Sequence, residues 1–378
     1  MKNNIFLLIA ASIFILSFSS CDDLLDVTPK DKITPETFFS TEADLQAFST
    51  NFYNSLPKDR DLYKDDADNI THSTPNSAAT DSRTVPASGG GWEWGYLRRF
   101  NTLLQYSVNC KDKTVRTRYQ ALTRFFRAYF YFEMVKRFGD VPWYDTELFV
   151  SETDQLNKPR DSRELVMKNI LEDLDFAITN LSTTPSVYTV TKWTALSLKS
   201  RVCLFEGTFR KYHNLNLSTN ADFFLQESIT ASRELMKESN YTLYTEGGTN
   251  QAYRKLFTSQ NAPTTEVIMA RNYNLTYDIY NTVGTYHTSV GEGRPGVTRK
   301  IIASYLMNDG SRFTDNPNWE TMTFVDECKN RDPRLTQTVF YHNSRWLKAT
   351  VDISEGGKDN NSINPAREGN RTKTGYYL

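Results

Sequence analysis

The chain has 378 residues, enough for one large domain or two. Its 44 basic and 45 acidic residues nearly cancel, which excludes a nucleic-acid or anionic-membrane partner recognised through bulk charge. Its 21 Tyr, 23 Phe and 6 Trp are numerous enough to fill a core and still leave rings for an interface.

At the start, Met1-Lys2-Asn3-Asn4 is short and positive, Ile5 to Phe18 is almost wholly apolar, and Ser19-Ser20 precede Cys21. This is the layout of a secretory signal peptide over residues 1–20. The apolar run is too short to cross a bilayer, which takes roughly 20 residues. A cysteine at the seam makes cleavage before Cys21 and lipidation of its thiol and amine the expected outcome, with an ordinary signal peptide as the alternative. Multiple acyl chains are what stable anchoring to a membrane requires. Phe18 stands where leucine is usual in such a cleavage signal. Cys110, Cys203 and Cys328 remain, an odd number without metal-ligand spacing, and are expected to be free and mostly buried.

A polar, turn-rich tether from Asp22 to Pro35 leads into a helix that Thr41 can cap, running to about Ser55. Residues 56–91 have no apolar period and read as a long excursion of the kind that carries function. Helices are predicted over 94–108 and 115–138. In the second, Leu122, Phe126, Tyr129, Phe130 and Met134 recur at helical spacing and Gly139 closes the end. Asp161 with Glu164 forms a capping-box pattern. It opens a helix with Val166, Ile170, Leu174, Ala177 and Leu181 inward, ended by Pro185. Thr191 caps the next helix, expected to stop at Gly207, and Asn220 or Asp222 begins another that reaches about Glu238. Successive amphipathic helices joined by short breaks predict antiparallel hairpins stacked into a solenoid, of which tetratricopeptide-like repeats are one form. Beyond Thr245 the pattern loosens: Val267 to Ala270 is a short strand candidate and 273–295 is loop-like. The division is a helical region over 21–245 and a loop-rich region over 246–378.

Catalytic signatures are few. His72, His213, His287 and His342 are scattered, and no HExxH motif is present. Gly291 to Gly296 matches GxGxxG, but no clear strand precedes it and Pro295 removes a backbone donor, so no dinucleotide site is expected. Asp65, Asp66 and Asp68 lack the glycine and glutamate of a calcium loop and read as a solvated acidic stretch. No motif selects a carboxylate pair of the glycosidase type. No cofactor or metal is implied.

Several of these stretches together resemble the SusD/RagB glycan-binding lipoproteins. They are "CDDLLDVTPKDKITPETFF" followed by "EADLQAFSTNFYNSL"; "RFFRAYFYFEMVKRFGDVPW" from Arg124 to Trp143; and "TKWTALSLKSRVCLFEGTF" from Thr191 to Phe209. "YLMNDGSRF", "NRDPRL" and "TKTGYY" follow in the family's order. The resemblance implies a mainly α fold: tetratricopeptide-like hairpins forming a right-handed scaffold, plus a loop-rich module with little β structure. It implies an outer-membrane lipoprotein anchored through Cys21 and facing the cell exterior. Such a protein sits as a lid on a TonB-dependent, SusC-like transporter and captures oligosaccharides without turning them over. Asp22-Asp23 look like the acidic export signal of such lipoproteins. Relatives usually continue beyond the TGY motif, so the expectation is a truncated chain with apolar faces uncovered beside the 115–138 or 191–207 helices. A glycosidase-type enzyme, or a lid that captures peptides, are the alternatives.

Sugars stack their C–H faces on rings, so a glycan site needs aromatics outside the helical periods that fill the core. Trp92, Tyr280, Tyr286 and Trp319 meet that condition. At least two of them are expected to be exposed on one face, away from the Cys21 tether.

Overall fold

The computed structural model describes residues 35–58, 69–71, 77, 80–282, 296–346 and 349–350. Cys21, Tyr286, the three aspartates at 65, 66 and 68, residues 291–295 of the glycine-rich stretch and the TGY motif lie outside these. The described chain is mainly helical, and its strands are two short antiparallel pairs. We label helices longer than five residues and all strands in chain order.

Helix α1, Glu42–Thr50, is opened by a reciprocal capping box between Thr41 and Asp44 and tightens into a 3₁₀ turn over Asn51–Ser55. Helix α2 spans Gly95–Tyr106 and α3 spans Lys113–Phe138. The Asp112 carboxylate accepts the free N–H groups of Thr114 and Val115 at 2.9 and 3.0 Å, and Lys136 and Arg137 face the carboxyl end of the helix dipole. Gly139 then turns the chain at φ 71°, ψ −117°, a conformation that side chains with a Cβ resist.

Helix α4, Arg163–Asn180, buries the predicted stripe Val166, Ile170, Leu174 and Ala177, with Leu181 just past its end. Its cap differs from the predicted one. Ser162, not Asp161, accepts the N–H of Leu165, because Asp161 is committed to the backbone of Trp143 and to Lys158. Glu164 meanwhile reaches Arg210 and the Thr219 N–H.

Helix α5, Lys192–Tyr212, runs through Gly207 instead of stopping there. A Cβ at 207 would lie 2.8 Å from the Leu225 side chain, so this glycine lets helix α6, Ala221–Glu238, pack closely. Helices α3 with α4 and α5 with α6 form adjacent hairpins, and α4 packs on α5. This is the tetratricopeptide-like stacking expected from the sequence. Every large apolar side chain of α3 is at least half buried, whereas Leu204 on α5 and Phe223 and Met236 on α6 are exposed.

The main core lies where α1 to α5 converge. Phe52 and Phe100 meet edge to face at 4.8 Å, and Phe52 and Phe126 at 5.8 Å. Each of the three rings is fully buried, contributing about 1.5–3 kcal/mol by apolar burial.

Beyond α6 the chain is irregular. The strand predicted at Val267 to Ala270 is a loop: the Ala270 N–H donates to the Val187 carbonyl at 2.7 Å, but among the described residues no neighbouring strand extends this pairing. Helix α7, Ala252–Thr258, packs on α9, Pro333–Thr338. Helix α8, Arg299–Ser304, contributes Ile302 to a second, small core with Val297, Leu335 and Val339. Strand β1, Ile70–Thr71, pairs with β2, Gly296–Val297, which pins the middle of the 56–91 excursion to the segment leading into α8. Strands β3, Arg345–Trp346, and β4, Ala349–Thr350, form the other pair. Cys110 and Cys203 are buried and Cys328 is half buried, all as free thiols; burial pushes the Cys203 and Cys328 thiols up to about 12.

Candidate functional site

An open cleft of roughly 580 Å³ lies between the first turns of α2 and the 142–160 segment that follows α3. Its rings are Trp92, Trp94, Tyr144 and Phe149, and its polar groups are Arg98, Asn101, Lys158 and Arg160. No aspartate or glutamate lines it.

The wall of this cleft is fixed by α3 and the turn after it, and the physical reason is visible bond by bond. Arg127, buried on α3, forks onto Asp173 of α4 with bonds of 2.7 and 2.8 Å. Burial would lower its pKa, but the Asp173 hydrogen bonds reverse this and hold the guanidinium charged. Its remaining nitrogen donates to Asn101 Oδ1 at 3.3 Å. Asn101 in turn donates to the carbonyls of Tyr144 and Thr146 at 3.0 and 2.9 Å, which sets the cleft floor. The Tyr131 hydroxyl accepts the Tyr144 N–H at 2.6 Å, and burial pushes its pKa up. Asp161 accepts the Trp143 N–H and Lys158 Nζ at 2.7 and 2.8 Å. Lys158 Nζ then lies 4.9 Å over the Tyr144 ring. Such chains of satisfied buried polar groups hold a wall rigid.

Trp92 sits at the rim, 38% exposed. Its edges meet Trp94 and Phe138 at 5.1 and 4.9 Å, and Arg160 covers its ring at 4.8 Å. It is therefore held in place and still open to solvent.

Trp319 is half buried on a 3₁₀ turn. It meets Phe313 at 6.1 Å, with Arg299 over its ring at 5.2 Å. It lines a second cleft of roughly 510 Å³ with Arg299, Lys300, Leu306, Arg312 and Thr314. The Trp92 and Trp319 clefts have no lining residue in common. Tyr280 is 53% exposed, just after a tight turn closed between Asn274 and Ile279, whose tip exposes Leu275 and Tyr277. Reading the sequence missed Trp94, Tyr144, Phe149 and Arg160 as cleft residues. A signal was present: an arginine and an asparagine, Arg127 and Asn101, inside otherwise apolar helix faces mark buried polar work.

Among the described residues no group of histidines, cysteines and carboxylates has metal-site geometry, and no helix is long and apolar enough to cross a membrane.

Residues 23–204 match a family model described as "Starch-binding associating with outer membrane", and residues 237–378 match the model of the SusD family. The chain belongs to the SusD/RagB family. A SusD-like protein of Formosa agariphila is 25% identical over 317 residues, covering 80% of this chain and 60% of that protein. A second from the same organism is 23% identical over 227 residues, covering 52% of this chain and 42% of that protein. This SusD-family chain thus spans about 60% or less of the length of these relatives. Among solved structures, a SusD-like protein of Bacteroides fragilis superposes with a TM-score of 0.68 at 23% identity, over 93% of this chain and 70% of that one. A SusD-like carbohydrate-binding protein of the same species gives 0.66 at 18% identity, over 90% and 68%. These likenesses establish the fold. The family is one of carbohydrate-binding proteins, and its model name associates it with the outer membrane.

Proposed function

We propose that this SusD-family chain binds oligosaccharides at the cell exterior and passes them to a TonB-dependent transporter, without chemical turnover. The observation that carries the reading is the Trp92 cleft: a fixed, half-open ring beside polar donors, in a wall built by the family's most recognisable segment. Rings of this kind offer a sugar its apolar face at about 0.5–1.5 kcal/mol beyond area burial, so several must act together. Trp319 and Tyr280 are the further rings we assign to glycan contact, with Tyr286 as the fourth. A glycosidase needs two opposed carboxylates, and the lining of the Trp92 cleft offers none. Anchoring through a lipid on Cys21 is part of the same reading, supported by the seam at Ser19-Ser20-Cys21.

Calorimetry against a panel of neutral and acidic oligosaccharides and of peptides tests this. Binding of at least one oligosaccharide class is expected. Trp92→Ala and Trp319→Ala should each weaken it several-fold while the melting curve keeps its shape. Binding of peptides alone would leave the family intact and overturn the glycan assignment. For the anchor, Cys21→Ala should abolish acylated peptide in mass spectra of membrane fractions.

A further inference from the structure

The two clefts that carry Trp92 and Trp319 share a charge pattern that the chain as a whole does not have. Overall the charges cancel to −1. Yet Arg98, Lys158 and Arg160 line one cleft and Arg299, Lys300 and Arg312 line the other, and neither lining contains an aspartate or glutamate. A third cleft, without tryptophan, is the reverse: Glu164, Glu172, Asp175 and Glu227 line it, against Lys168 alone. Positive lining thus goes with the tryptophans.

Some of these cations are already matched. Arg98 pairs with Glu147 at 3.1 Å, Lys158 with Asp161 at 2.8 Å, and Arg299 with Glu327. Arg160 is different. One of its nitrogens donates to the carbonyls of Phe138 and Asp140 at 3.3 and 3.4 Å, and its guanidinium rests 4.8 Å over Trp92. The Asp140 carboxylate accepts the Arg163 N–H. Among the described residues no carboxylate pairs with Arg160, nor with Arg312 in the other cleft. The other nearby acid, Glu93, is exposed beside Trp92 and does not line the cleft. A guanidinium held against a ring keeps its fork oriented and can take two oxygens of a carboxylate or of a tetrahedral oxyanion through two parallel bonds. A sugar stacked on that ring would bring a substituent at its edge to the same place.

We propose that the tryptophan clefts select acidic oligosaccharides, chains bearing carboxylates or sulfates, with Arg160 at Trp92 and Arg312 at Trp319 as the anion partners. This rests on the glycan-binding reading above and names its substrate class.

The test compares matched probes by calorimetry: oligogalacturonate against its carboxyl-reduced form, and a sulfated galactan oligosaccharide against its desulfated form. At least one acidic member is expected to bind about tenfold tighter than its neutral partner, as one charge-assisted contact gives. The two pairs show which anion is taken. The preference should shrink as sodium chloride rises from low to physiological strength and beyond. Arg160→Gln, checked for an unchanged melting curve, should reduce the acidic-to-neutral affinity ratio roughly tenfold, and Arg312→Gln should reduce it further. Neutral members binding as well as or better than acidic ones would overturn the proposal and leave the glycan reading standing. No binding of any oligosaccharide would overturn both. Polyglutamate binding as tightly as the acidic sugars would also overturn it, since bare charge would then suffice.

Discussion

The helical body and the segment 296–346 both bury arginines, and they use them differently. In the body, helices satisfy their own backbone, so buried arginines are available to hold one helix to another through carboxylates. Glu206 of α5, with no solvent exposure, receives both Arg163 of α4 and Arg210 of its own helix, and Arg210 extends the network to Glu164. In 296–346, short turns leave carbonyls without ladder partners. Arg331, 4% exposed, donates to the carbonyls of Glu327, Ile302 and Tyr305 at 2.7, 2.6 and 2.7 Å, and stacks 3.8 Å over Phe313. One region uses buried charge as a bolt between finished elements. The other uses it in place of the elements, because an unpaired buried carbonyl costs as much as a lost hydrogen bond.

The difference is open to direct attack. Glu206→Leu leaves the buried Arg163 guanidinium without its carboxylate and Arg210 with only Glu164, and should cost about 3–5 kcal/mol of global stability in urea unfolding. A loss under about 1 kcal/mol would show that the network is not a bolt. Arg331→Met should cost about 2–3 kcal/mol, but locally, by exposing orphaned carbonyls. Hydrogen exchange is expected to accelerate over 302–339 while α3 to α6 keep their protection, and uniform acceleration would erase the proposed contrast. Gly207→Ala sharpens the packing side of the comparison. The added methyl gains helix propensity of about 1 kcal/mol but presses on Leu225 and the Ala221 carbonyl, at 2.8 and 3.1 Å. Overpacking of this kind costs about 1–3 kcal/mol, so a small net loss of melting temperature is expected; a gain would mean that α6 moves freely.

The smallest effect is on pH. Burial would raise the carboxyl of Asp161, but Lys158 and the Trp143 N–H outweigh it and hold the group below its usual value. Burial likewise opposes the lowering of Glu164, which its bonds from Thr219 and Arg210 bring about. Folded values below the unfolded ones mean that this stabilisation is complete above the ordinary carboxylate range and is lost as pH falls through it. Asp161→Asn should therefore flatten the fall of stability below about pH 4. An unchanged acid limb would remove Asp161 from the account.

Much of the helical body was determined by the sequence alone. Apolar spacing along 115–138 and 163–181 gave helices whose predicted apolar residues are buried or half buried, because a 3.6-residue period and side-chain capping act locally. Tertiary structure decided what depends on a distant partner. Gly207 continues its helix because Leu225, beyond a turn, fills the space where a side chain would go. Asp161 gives up its cap because Trp143 and Lys158 compete for the carboxylate. Val267 to Ala270 is apolar enough for a strand but has no neighbour among the described residues to complete a ladder. The cleft follows the same rule. Trp92 could be chosen from its aperiodic setting, but Arg160, Tyr144 and Phe149 became its neighbours only when Arg127, Asn101 and Tyr131 fixed the path of the chain after α3. A ring's freedom from a helical period is written in its own segment, whereas the company it keeps depends on side chains up to about 70 positions away along the sequence, whose contacts only folding brings together.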